Sequence, residues 1–185
     1  YRAFFLSVLL QRHRGGASTL SQQLAKNLFK TRSERYKGYL SDVPLLKTII
    51  LKTKERIVAA QLERSCTKKE VITMYLNTVS FGSHAFGLKV AAKTFFNTTP
   101  DMLSVEQAAL LVGLLKAPSR YSPVTHPKRA LHRRNVVLAQ MRKHQLLAQD
   151  DYERLVQLPI TLEYAVEDHN VGLPTYYRSS LRNFL

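Results

Sequence analysis

A mainly α-helical fold is predicted by three observations. Capping pairs recur along the chain: Thr19 with Gln22, Thr67 with Glu70 and Ser104 with Gln107 each set a hydroxyl three residues before a Glu or Gln. Such pairs satisfy the free amides at a helix start. The joints between apolar segments are short, and polar or proline-bearing. No segment alternates apolar and polar residues convincingly as a strand, although 158–166 fits a short one.

Taken in order, helices are expected over 1–12, 18–30, 45–65, 67–77, 86–96, 104–116, 127–145, 148–157 and 174–185. The second starts at the Thr19 pair, the fourth at the Thr67 pair and the sixth at the Ser104 pair. In the third, Lys52, Glu55, Ala59 and Leu62 fall on one stripe at 100° per residue. The fourth ends in "YLNTVSFG" (75–82), read as an ordered turn with Tyr75 and Phe81 buried and Asn77 near the helix end. Residues 117–127, "APSRYSPVTHP", hold three prolines and predict a rigid, extended connector into the seventh. The polar, basic, tyrosine-bearing stretch 31–44 is longer than a plain connection needs, which points to a functional loop.

Composition narrows the partners. The chain has 185 residues and 45% apolar content, enough for one domain with a real core. Its 28 Lys and Arg against 13 Asp and Glu give a net charge of +15. The excess is clustered: residues 1–62 carry 12 basic side chains and only Glu34, Asp42 and Glu55 as acids, and no acid lies between Gln107 and Gln149. Such a field favours nucleic acid, anionic lipid headgroups or a phosphate-bearing substrate. The single cysteine, Cys66, excludes an internal disulfide framework. No apolar run approaches the ~20 residues of a membrane span.

Two stretches could carry chemistry. "GGASTLSQQLAKNLF" (15–29) opens with glycines that allow close backbone approach, then Ser18 and Thr19 at a helix start with its free amides and positive dipole end. Gln22, Gln23 and Lys26 add donors along the next turns, a plausible cradle for a phosphate or sugar; a capped surface helix reads as well from spacing alone. In "LKTKERIVAAQLER" (51–64), Glu55 stands on a part-buried face with Lys52 one turn before it and Lys54 adjacent. That is a structural ion pair or a catalytic or phosphate-site group; spacing favours the former. Glu63, beside Arg64, reads as a surface pair. "HRRN" (132–135) could bind an anion, but charge runs are usually solvated faces. The six histidines show no metal-ligand spacing, and Ser65 with Lys68 spans a helix break rather than forming an S-x-x-K site.

These motifs together resemble the peptidoglycan glycosyltransferase domain of class A penicillin-binding proteins and monofunctional transglycosylases, glycosyltransferase family 51. Residues 15–29 are similar to its second signature, 52–96 to its third and fourth, and 103–141 to its fifth. The resemblance runs over residues 1–160, with 161–185 as an exit segment towards a linker and a transpeptidase domain. It implies a lysozyme-like, two-lobed helical fold with a membrane-facing small lobe. The implied reaction polymerises lipid II onto a nascent glycan strand, inverting the anomeric centre and releasing undecaprenyl diphosphate.

Residue by residue, the resemblance gives Glu55 the catalytic place of the family's second glutamate, positioning the donor diphosphate or reacting groups. Lys52 and Lys54 match the basic positions flanking it. Ser18, Thr19, Gln22, Gln23 and Lys26 match the donor face, Asn77 is a substrate-binding candidate within the stretch similar to the third and fourth signatures, and Arg32 and Arg35 are the family's candidate phosphate contacts in the loop. No cofactor is firmly implied; a divalent cation such as Mg2+ at the diphosphate is a candidate. Moenomycin, a phosphoglycolipid, is the implied inhibitor, an anionic membrane surface the implied partner, and nucleic acid is not one. The implied setting is the outer face of the bacterial cytoplasmic membrane, with a transmembrane anchor upstream. The family's first signature, which supplies the general-base glutamate, would fall before Tyr1, so residues 1–185 alone are expected to be inactive. Leu51 stands where an arginine is usual. The alternatives are a basic helical nucleic-acid-binding module and a lysozyme-like glycan-cleaving enzyme. The first leaves Gln22, Gln23 and Glu55 without a use, and the second needs a protonated acid in an open groove and no diphosphate.

Overall fold

Capping pairs open three of the helices in this computed structural model, which describes residues 18–29 and 44–164. The chain divides into two units, residues 1–79 and 80–185. In the first, α1 (Leu20–Phe29) starts where predicted. Thr19 N donates to Gln22 Oε1 and Gln22 N to Thr19 Oγ1, both at 3.3 Å. Helix α2 (Pro44–Ser65) has proline at its first position, where the absent N–H has no intrahelical partner to lose. Helix α3 (Lys68–Thr78) follows a two-residue joint and is opened by a complete Thr67–Glu70 box. α1 packs on both α2 and α3. Its Leu24 and Ala25 are fully buried, and Ala59, Val71 and Tyr75 are closed from solvent with them.

The second unit opens with a tight turn, Gly82–Ala85, inside an isolated β-bridge. Ala85 N donates to Gly82 O, Phe81 N donates to Ala85 O, and Ser80 bridges Phe86. Ser83 and His84 both have positive φ, 50° and 60°. Helix α4 (Leu88–Phe96) ends at Asn97 in the left-handed region. A 3-10 turn (Pro100–Met102) leads to α5 (Val105–Leu114), where Ser104 N donates to Gln107 Oε1 at 3.1 Å. Helices α6 (Pro127–Lys143) and α7 (Gln149–Gln157) complete the unit. α5 packs on α6 so closely that a Cβ at Gly113 would stand 3.1 Å from Arg133 Cγ. Ala109, Leu138 and Leu155 tie α5, α6 and α7 into one cluster.

Three expectations are corrected. Residues 158–164 form no strand; they run irregularly after α7, tied to α4 by Glu163 N donating to Phe95 O. The connector 117–127 is a series of turns rather than an extended rod, because Arg120 and Tyr121 N–H groups fold back onto Ala117 O and His126 N–H onto Ser122 O. "HRRN" is not a solvated face. Arg134 is only 1% exposed, and its guanidinium donates to the carbonyls of Leu155, Val156, Leu158 and Pro159. Those are carbonyls of the last turn of α7 and just beyond it, where helical partners run out. Burial pulls the Arg134 pKa down, with nearby Glu106 pulling it back up. The expected helices 1–12 and 174–185, and most of the loop 31–44, lie outside the described residues.

Candidate functional site

The stripe predicted on α2 is real. Ala59 is buried and Leu62 partly so, and Glu55, on the same line, is 2% exposed. A carboxylate so placed requires hydrogen bonds or an opposite charge. Lys52 Nζ lies 2.6 Å from Glu55 Oε2, with the lysine side chain 30% exposed. The same ammonium is 3.5 Å from Ser18 Oγ, just ahead of α1. Three residues separated by up to 37 positions thus converge where the first turn of α1 meets α2.

Along α1 the remaining residues fall as a graded wall. Thr19 is exposed and held by the reciprocal bond with Gln22, whose carbonyl oxygen is used in the cap while its N–H₂ group is left to donate. Gln23 is exposed and its Oε1 accepts from the Tyr75 hydroxyl of α3 at 3.3 Å. Burial pushes the Tyr75 phenol above its ordinary value. Lys26 is exposed in the last turn. The positive N-terminal end of α1, with no acid in its first turn, adds to the field of the lysines. A cavity of about 460 Å³ lies against this turn, lined by Thr19, Leu20, Ser21, Glu63, Cys66, Lys68, Val71 and Ile72.

Not every expected residue joins this cluster. Lys54 is exposed on α2, one position and so about 100° round from Glu55. Asn77 is exposed near the end of α3, two positions and so about 200° round from buried Tyr75. Arg32 and Arg35 lie outside the described residues. Tyr75 is the residue sequence reasoning assigned only to packing; its place in the same "YLN" stretch as Asn77 was the available signal.

Among the described residues no group of three or more His, Cys, Asp or Glu could hold a metal ion. At the cluster the carboxylate on hand is Glu55, whose Oε2 is taken by an ammonium at 2.6 Å. Among the described residues no helix is long and apolar enough to cross a membrane.

Residues 1–142 match the Transglycosylase family. The chain is 40% identical over 170 residues to penicillin-binding protein 1A of Aquifex aeolicus, covering 92% of this chain and 21% of that one. It is 36% identical over 163 residues to penicillin-binding protein 1A of Haemophilus influenzae, covering 88% and 18%. The fold is similar to the crystal structure of the H. influenzae protein, with a TM-score of 0.54 and 29% identity, covering 65% of this chain and 18% of that one. The chain spans about a fifth of the length of these relatives.

Proposed function

The chain belongs to the transglycosylase family, and from that premise we propose that it is a peptidoglycan glycosyltransferase that polymerises lipid II. The observation that carries this reading is the convergence of Ser18, Lys52 and Glu55 at the start of α1. In the proposed reaction the acceptor's 4-hydroxyl oxygen attacks the anomeric carbon of the donor sugar. The bond from that carbon to the diphosphate oxygen breaks, the anomeric centre inverts, and the hydroxyl proton passes to a general base.

The leaving undecaprenyl diphosphate gains negative charge as the bond breaks. Positioned cations and amide donors aimed at that charge lower the barrier because they need not reorganise. Lys52 is such a cation, and Glu55 fixes it; a carboxylate already held by an ammonium serves as an anchor rather than as the base. The N-terminal amides of α1, Ser18 and Thr19 face the phosphates, with Gln22, Gln23 and Lys26 extending the wall along the sugar. Arg32, Arg35, Lys54 and Asn77 are assigned peripheral substrate contacts. The setting that accompanies this reading is the outer face of the cytoplasmic membrane, with the anchor upstream; the +15 charge favours an anionic bilayer.

Moenomycin binding by the intact protein, measured beside duplex DNA at moderate salt, tests the reading. Tight moenomycin binding with weak DNA binding is expected; the reverse order would favour the nucleic-acid module.

A further inference from the structure

Gln23 belongs to the proposed donor wall, but its amide is oriented from another helix. The Tyr75 hydroxyl lies 3.3 Å from Gln23 Oε1, across 52 residues of chain. Tyr75 is 5% exposed, and among the described residues Gln23 is the hydrogen-bond partner of its hydroxyl. A carboxamide has an acceptor end and a donor end that exchange on a half-turn. A buried phenol proton needs an acceptor, since leaving it unmade costs the full desolvation penalty of the group. The carbonyl end of Gln23 therefore turns inward and the N–H₂ end outward.

We propose that Tyr75 is a positioning residue for the transferase site. Its hydroxyl locks the Gln23 carboxamide so that α1 presents two N–H donors, and not a carbonyl oxygen, to the diphosphate-linked sugar. This rests on the reading of α1 as the donor wall. The two ends of the amide differ in sign towards an anion: N–H groups attract phosphate oxygens, whereas a carbonyl oxygen repels them. Tyr75 thereby sets the polarity of one stretch of the wall without touching the substrate.

The test is a cycle of Tyr75→Phe, Gln23→Ala and the double substitution in the intact protein, with moenomycin affinity and thermal unfolding measured on each. Tyr75→Phe is expected to weaken binding about 5–10-fold alone and to add nothing in the Gln23→Ala background, the non-additivity of residues acting as a unit. In polymerisation assays KM should rise while kcat stays within about 2-fold, the mark of lost uniform binding. An equal loss in both backgrounds, or full affinity in Tyr75→Phe, would overturn the proposal. Gln23→Glu supplies a readout that does not depend on removing the phenol. It keeps the acceptor for Tyr75 but has no N–H, so it should lose at least as much affinity as Gln23→Ala. Unchanged binding there would also overturn the proposal. A protein with no substitution that fails to bind moenomycin would sink the donor-wall reading itself, and this proposal with it.

Discussion

The Lys52 ammonium sits 2.6 Å from the Glu55 carboxylate one turn further along α2, and the two ends of the pair differ in access: the carboxylate is 2% exposed and the lysine 30%. The pair is therefore directional. Glu55 is fixed by the core, Lys52 is fixed by Glu55, and positive charge is presented at the start of α1 with little freedom to wander. Preorganised charge of this kind is what a departing diphosphate uses.

Substituting the anchor should release the cation. Glu55→Gln in the intact protein is expected to lower glycan polymerisation about 10²-fold or more, on the scale of losing one preorganised transition-state contact. Circular dichroism should show unchanged helicity, because the amide is the same size. Near-normal polymerisation would remove Glu55 from the site.

Lys26 tests the far end of the wall. Its side chain is exposed in the last turn of α1, so Lys26→Ala should leave packing intact. Moenomycin affinity is expected to fall about 10-fold, the loss of one charge-assisted hydrogen bond. Equal affinity would leave this end of α1 with no part in binding.

Arg134 offers a prediction about stability. Arg134→Met should destabilise the protein by about 2–4 kcal/mol in urea unfolding, since several carbonyls lose a buried donor at once. Arg134→Lys should recover little, because a single ammonium cannot span what the guanidinium fork spans. A wild-type midpoint in both variants would mean that the guanidinium bonds contribute nothing net.

The cap of α3 predicts a pH response. The Thr67 backbone N–H, and then its hydroxyl, hold the Glu70 carboxyl below the ordinary glutamate range. A depressed folded-state pKa gives stabilisation that is present above the unfolded value and lost as pH falls through the folded one. The α3 start should therefore loosen on acidification below the ordinary glutamate range, and not on the alkaline side. Thr67→Val should move the Glu70 carboxyl part-way back up in a carbon-detected NMR titration, the backbone contact remaining. An unmoved titration would show that the hydroxyl plays no part.

His84 has a φ of 60° in the Gly82–Ala85 turn, a left-handed backbone that favours glycine or asparagine. His84→Gly is expected to stabilise the protein by about 0.5–1 kcal/mol, read as a higher unfolding temperature. A lower temperature would mean that the imidazole contributes more than its backbone strain costs.

What the sequence made legible was local. The Thr19–Gln22 and Thr67–Glu70 pairs fix helix starts within three residues, and α2's stripe places Glu55 on a buried face by its period alone. The Lys52–Glu55 pair is likewise a one-turn spacing. What escaped was long-range or sterically indirect. Nothing near Arg134 announces the α7 carbonyls 21 to 25 residues away, so a run of charge read as surface. Tyr75 read as core because its burial is visible in pattern, whereas the reach of its hydroxyl to Gln23 depends on how α3 lies on α1. Prolines fix φ but leave ψ free, so the 117–127 connector could close into turns where stiffness suggested a rod.

The Arg134 peg also bears on the order in which the second unit assembles. Its hydrogen-bond partners all follow it within 25 residues, and α5 packs on α6 and α6 on α7, neighbours in sequence. Contacts of such short separation close quickly, because little chain must be ordered before the first is made. During synthesis the α5–α7 cluster can lock step by step as it leaves the ribosome, its Arg134 contacts complete once Pro159 has emerged. Whatever sequence comes after is then made against an already folded neighbour.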